Sequence, residues 1–326
     1  MTSLSAGKIR ALQTTSTPHG IFNILAIDHR DSLRVVLNPD RPELIPASTL
    51  TALKLSIIKR IAPLASAVML EPEYSAAQAI VAEALPGRVG FLSALEEQGY
   101  LGDPYGRQST LLSGWSVAKA KRLGASGIKL LIFYHPDSGK AAEHQELLVK
   151  SVVSDCAREE IPLFLEPLIY PLDPAVLPNT PEFAAQRRRI VIDTVKRLGT
   201  LGPDVLKIQF PLDAKYDSDK KEWEDACAEL NDAAPVPWAL LSGGDPYESF
   251  KEQVEVACRA GCSGFMVGRA LWREVISAAE TEQESIFQNV VRPRFEELSE
   301  IANAQGQGWQ SRHKLPTVDE TWFREY

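Results

Sequence analysis

No stretch of this chain is long and apolar enough for a membrane helix, and residues 1–10 carry no extended apolar segment of the kind a secretory signal needs. A cytoplasmic protein without membrane contact is therefore expected. Positive charge is in deficit: 35 Lys and Arg stand against 43 Asp and Glu, a formal charge of −8, which argues against the basic surface that nucleic acids require. Cysteine is scarce, and Cys156, Cys227, Cys258 and Cys262 show no C-x-x-C spacing that would hold zinc, so buried free thiols are expected. No G-x-G-x-x-G follows the first apolar run, and no G-x-x-x-x-G-K-[ST] occurs, which weakens a nucleotide-binding reading.

What remains is ordinary globular composition, 44% hydrophobic and 24% charged, in 326 residues. Short apolar runs recur at 21–27, 67–70, 89–92, 127–133, 162–165, 205–210, 238–241 and 264–267. Between them lie helical patterns at 48–61, 113–123, 141–159, 182–198, 222–232 and 247–259. Continuously apolar strands alternating with helices imply parallel pairing covered on the outside, and eight such runs predict an α/β fold of the (β/α)8 TIM-barrel type. One domain over 1–326 is expected, with the barrel over about 20–305, closed by a long helix near 281–305. A tail over 306–326, carrying Trp309, Trp322 and Tyr326, is expected to pack on the barrel or a partner, and a homo-oligomer is expected.

Charged residues interrupt these apolar runs at their carboxyl ends, where a barrel gathers its loops into one mouth. Asp28, His29 and Arg30 end the first run, Glu71 the second and Glu166 the fifth, while Lys129 lies within the fourth and Lys207 within the sixth. A buried lysine in Val205-Leu206-Lys207-Ile208 either pairs with a carboxylate or loses its proton and becomes a nucleophilic amine. Lys129 poses the same choice. Two neighbouring lysines disfavour each other's charge, and Glu166 or Asp28 can keep one protonated, so the pair divides into one amine and one ammonium, a division suited to carbonyl chemistry. After the seventh and eighth runs, Ser242-Gly243-Gly244 and Gly268-Arg269 combine close backbone approach, a helix start and a guanidinium, the usual barrel phosphate site.

These motifs together resemble the class I tagatose-1,6-bisphosphate aldolases and the related sulfofructose-phosphate aldolases. The residues that carry the resemblance are Leu25 to Leu33 around Asp28, Leu70-Glu71-Pro72-Glu73-Tyr74, Lys129 to Tyr134, Phe164-Leu165-Glu166, Leu206 to Pro211 around Lys207, Leu241 to Gly244, and Val267 to Trp272. The resemblance implies a metal-free aldolase without cofactor that cleaves a phosphorylated ketohexose to dihydroxyacetone phosphate and an aldehyde. Lys207 would form the Schiff base, Glu166 would transfer protons, Asp28 and Lys129 would assist, and Ser242, Gly243, Gly268 and Arg269 would hold a terminal anion. Arg30, Glu71, His29 and Gln209 complete the expected substrate-binding set. His29 and Gln209 stand where the family pattern has glutamine and glutamate; His29 contacts either the variable end of the substrate or only a loop. Two rivals stay open: a zinc-dependent aldolase using His29 and His135, and a non-catalytic barrel that binds a sugar phosphate.

Overall fold

In a computed structural model that describes residues 4–324 and 326, the eight apolar runs pair side by side into a closed parallel barrel. Its strands are β1 (Phe22–Ala26), β2 (Ala67–Leu70), β3 (Gly90–Ala94), β4 (Gly127–Phe133), β5 (Leu163–Leu168), β6 (Val205–Ile208), β7 (Trp238–Leu241) and β8 (Gly264–Val267). Helices Ala47–Ile61, Val117–Leu123, Lys140–Arg158, Pro181–Gly199, Lys220–Ala233 and Tyr247–Arg259 cover the outer face. Their ends obey local chemistry. The Ser116 side chain caps Val117–Leu123 by accepting from Lys119 N, and Pro181 opens its helix where no intrahelical N–H is needed.

Alternation along the strands separates two cores. One parity points outward into the helical shell, with Leu25, Val68, Ile128, Leu165, Leu206 and Leu240 buried there. The other parity points inward, where Phe22, Ile24, Met69, Leu92, Phe164, Val205 and Met266 fill the barrel as an apolar plug. The floor below that plug was not anticipated from the sequence. It is built from helix Ala6–Thr15, with Leu12, and from Trp309, which is fully buried. Lys8 ties the helix in place by donating to both Asp204 carboxylate oxygens at 3.0 and 2.8 Å. The tail thus packs on the barrel at Trp309, whereas Trp322, Phe323 and Tyr326 are exposed.

The strand boundaries differ from expectation in a way that matters for the mouth. β3 runs two residues beyond 92 because Ser93 and Ala94 continue to pair with Ile128 and Lys129. β5 continues through Glu166 and Pro167 to Leu168, since β4 is seven residues long and offers Leu131, Ile132 and Phe133 as partners. β6 stops at Ile208 rather than 210. The closing helix near 281–305 is present, but as Glu280–Ile286, a π segment Phe287–Val291 and Arg292–Gln305. Pro293 has no N–H to return to the carbonyl four residues earlier, and the chain widens before it. No helix among the described residues is long and apolar enough to cross a membrane.

Candidate active site

The inward parity that makes the plug also makes the site. β5 and β6 pair through Phe164 with Val205 and Leu165 with Leu206, so the next residues, Glu166 and Lys207, stand level on adjacent strands above Phe164 and Val205. Asp28 follows inward-facing Ala26 in the same way, and Lys129 rises from β4. Above the plug opens a cavity of roughly 420 Å³ at the carboxyl ends of the strands. Its lining includes every residue expected at the site except Glu71.

The charges in this cavity are arranged around two amines with different surroundings. Lys129 Nζ lies 2.7 Å from Asp28, 2.5 Å from Glu96 and 3.2 Å from Glu166. Burial works against its charge, but the three carboxylates outweigh burial and hold Lys129 protonated well above the ordinary lysine range. Asp28 shows the counterpart: burial would raise its carboxyl, yet Lys129 and then Lys207 hold it far below the usual carboxylate range. Lys207 Nζ is 2.8 Å from Glu166 Oε2, an ionic contact without hydrogen-bonding alignment, and its aligned acceptor is the weak Met69 sulfur at 3.6 Å. The two lysines thus differ in their surroundings: three carboxylates enclose Lys129, and a single one stands beside Lys207.

Glu96 was missed in the sequence. Its carboxylate receives the Lys129 hydrogen bond at 2.5 Å and the Leu131 N–H at 3.0 Å, placing it in the centre of the cluster. The available signal was a charged residue two positions past β3, hidden by ending that strand at 92. Glu71 needs the opposite correction. It is fully buried away from the mouth, paired with Lys54 at 2.6 Å, and it accepts from Glu73 N and Tyr74 N at 2.7 and 2.9 Å. A buried carboxylate demands such partners, and helix Ala47–Ile61 supplies the lysine. Arg30 lines the cavity, but its two terminal nitrogens are engaged by Glu73 at 2.8 Å and the Glu96 carbonyl at 2.7 Å, so it braces the loop that carries Glu96. Gln209 also lines the cavity, and its Oε1 accepts from Ile169 N at 3.0 Å.

Opposite this cluster, the rim after β7 and β8 brings glycines and a guanidinium to the cavity. Gly243 and Gly244 take φ of +57° and +92°, and the turn they form lies against the Arg269 guanidinium. Arg269 Nε is buried without a partner, and burial, then the nearby Arg273, pushes its pKa down, as expected of a guanidinium with no acid beside it. Gly268 N donates to Ser242 Oγ at 3.3 Å, and Gly268 leaves room for the His29 ring, whose Cε1 would lie 2.9 Å from an added Cβ.

His29 packs edge-on to Trp272 at 5.3 Å, with its Nδ1 buried and unpartnered. Burial brings its pKa down to about 3, although Asp28 opposes the shift. Between about 3 and the ordinary value of 6.5 the unfolded chain binds the extra proton, so acidification destabilises the fold. His29→Gln removes that term. The variant should lose about 2 kcal/mol less stability than the wild type between pH 7 and pH 5, measured by urea denaturation at both pH values. An equal loss in both proteins would remove His29 from the account. Among the described residues no group of three or more His, Cys, Asp or Glu is placed to share a metal ion; His29 lines the cavity, whereas His135 is not among its lining residues and packs against Tyr170.

Comparison with known proteins agrees with this architecture. Residues 22–274 match the model of the DeoC/LacD family aldolases. The chain is 30% identical to tagatose 1,6-diphosphate aldolase 2 of Enterococcus faecalis, over 96% of this chain and 98% of that protein. It is 28% identical to the tagatose 1,6-diphosphate aldolase of Streptococcus agalactiae, over 95% and 99%. Among solved structures, an archaeal fructose 1,6-bisphosphate aldolase superposes with a TM-score of 0.60 at 21% identity, covering 90% of this chain and 98% of that one. That likeness bears on the fold. Because the family match spans most of the barrel and a relative aligns from end to end, the chain belongs to the DeoC/LacD family of aldolases and is a carbon–carbon lyase.

Proposed function

We propose that this protein is a class I aldolase that cleaves a phosphorylated ketohexose, such as tagatose 1,6-bisphosphate, to dihydroxyacetone phosphate and glyceraldehyde 3-phosphate. The observation that carries the reading is Lys207, poised on one carboxylate 2.8 Å away while Lys129 is held by three. The related bacterial proteins are named for the same substrate.

The residues divide the reaction between them. Glu166 takes a proton from Lys207, and the free amine attacks the C2 carbonyl to give a carbinolamine. Protonation of the C2 hydroxyl by Glu166 releases water and leaves an iminium on Lys207. A carboxylate then removes the C4 hydroxyl proton, the C3–C4 bond breaks, and its electron pair enters the iminium to form an enamine as the aldehyde departs. Protonation at C3 and addition of water return dihydroxyacetone phosphate and the amine. Lys129 stays charged throughout and stabilises oxyanion character at the reacting carbons, with Asp28 and Glu96 fixing its position. The iminium is the electron sink, so the scheme calls for no metal. The 1-phosphate lies at Ser242 and Gly243, one strand beyond Lys207, and at Gly268 and Arg269, two strands beyond it.

A turnover panel of tagatose 1,6-bisphosphate, fructose 1,6-bisphosphate and sulfofructose 1-phosphate tests the reading, with dihydroxyacetone phosphate as the measured product. It should be released from tagatose 1,6-bisphosphate. Purified protein that releases none from any of the three does not have the proposed activity.

A further inference from the structure

Three aromatic rings from different parts of the mouth converge on one guanidinium. Arg107, in the loop after β3, lies 4.8 Å from the ring centre of Tyr100, 5.3 Å from Phe133 and 4.9 Å from Tyr170. Its Nε donates to the Pro104 carbonyl at 2.9 Å, which fixes the plane of the group. Of the acids around the mouth, Glu73 is engaged by Arg30 and Asp28, Glu96 and Glu166 by Lys129, while Glu97, which also lines the cavity, accepts from Gln98 N at 3.0 Å. Aromatic faces favour the cation without neutralising it. A carboxylate in the same place would compete with any incoming anion; the rings leave the outer edge of the fork free.

The position of this cation in the ring of strands gives it a role. Arg107 and Phe133 line the cavity from the β3–β4 side, and Gly243 and Arg269 line it from the β7–β8 side. In a closed ring of eight these are opposite rims. Lys207 on β6 and Glu166 on β5 lie between them. A ketose held with its 1-phosphate at Arg269 and its C2 at Lys207 runs across Glu166 toward β4 and β3. Resting on the substrate reading given above, we propose that Arg107 binds the terminal oxyanion at the far end of the ketose, a phosphate or a sulfonate on C6, and so sets the preference for doubly anionic substrates.

The test compares kcat/KM within each protein for a ketohexose 1,6-bisphosphate, a 6-sulfo-ketohexose 1-phosphate and a ketohexose 1-phosphate lacking the distal anion. Taking this ratio cancels differences in folded fraction between preparations. For Arg107→Met the preference for the doubly anionic ketose should fall by about ten- to hundredfold. Arg107→Lys, which keeps the charge and loses the fork, should fall between. The arm with the larger loss identifies phosphate or sulfonate as the group bound. A preference unchanged within about twofold in Arg107→Met, with the wild type active, overturns this assignment alone. A wild type inactive on all three esters overturns the substrate reading and this assignment with it.

Discussion

Replacing Lys207 with methionine should lower kcat for ketose-phosphate cleavage by on the order of 10⁴-fold or more, because every covalent step of the proposed reaction passes through its amine. The same substitution should leave the fold close to intact. Lys207 contributes one ionic contact, to Glu166, and Glu166 keeps Lys129 within 3.2 Å when Lys207 is gone. The methionine side chain would enter a site already bordered by Met69. Activity and stability therefore separate in this variant, and that separation distinguishes a nucleophile from a structural ion-pair partner. A Lys207→Met protein that unfolds readily but retains turnover would reverse the assignment.

Lys129→Met should behave in the opposite sense. Asp28, Glu96 and Glu166 all face this ammonium at 2.5–3.2 Å, and its removal leaves three buried carboxylates facing one another with Lys207 as the remaining cation. At pH 7 the variant should be about 3–5 kcal/mol less stable than the wild type, the usual consequence of stripping one partner from a buried ionic cluster. The sign with pH follows from like-charge repulsion, which raises the carboxyl pKa values in the folded variant above their unfolded values. Acidification through those raised values should therefore recover part of the deficit. Denaturation curves for both proteins between pH 7 and pH 5 check this. Loss of the caged charge should also lower kcat by about 10²–10³-fold, the scale of removing one preorganised electrostatic group. A deficit below about 1 kcal/mol that does not change with pH would mean that the carboxylates find other partners.

Much of this was legible along the chain, and the parts that were not have physical reasons. The strands read clearly because parallel barrel strands are buried on both faces and so appear as unbroken apolar runs; β2, β4, β7 and β8 fall where the runs do. Lys129 and Lys207 stood out because each is a charge inside such a run, and Glu166 because it ends one. The glycines after β7 and β8 were readable in the same way, and they line the cavity with Arg269. Glu71 misled because a strand-end acid looks the same whether it faces the mouth or not. Its partner Lys54 sits 17 residues away on a helix, and only the folded chain shows the pair. Glu96 was hidden by a strand that continues two residues past its apolar run, held by pairing with Ile128 and Lys129. Arg107 acquires its setting from Tyr100, Phe133 and Tyr170, which no spacing links. The floor helix Ala6–Thr15 carries little apolar contrast, and its anchor is a single Lys8–Asp204 pair across 196 residues.

The central claim is that the amine of Lys207 becomes the imine nitrogen. Incubating the protein with tagatose 1,6-bisphosphate or dihydroxyacetone phosphate and reducing with borohydride converts that imine to a stable secondary amine. Peptide mass mapping should then find the adduct on the peptide carrying Lys207, in step with irreversible loss of activity and absent from Lys207→Met. An adduct on Lys129 instead, or full activity after reduction with no adduct on Lys207, would contradict the account.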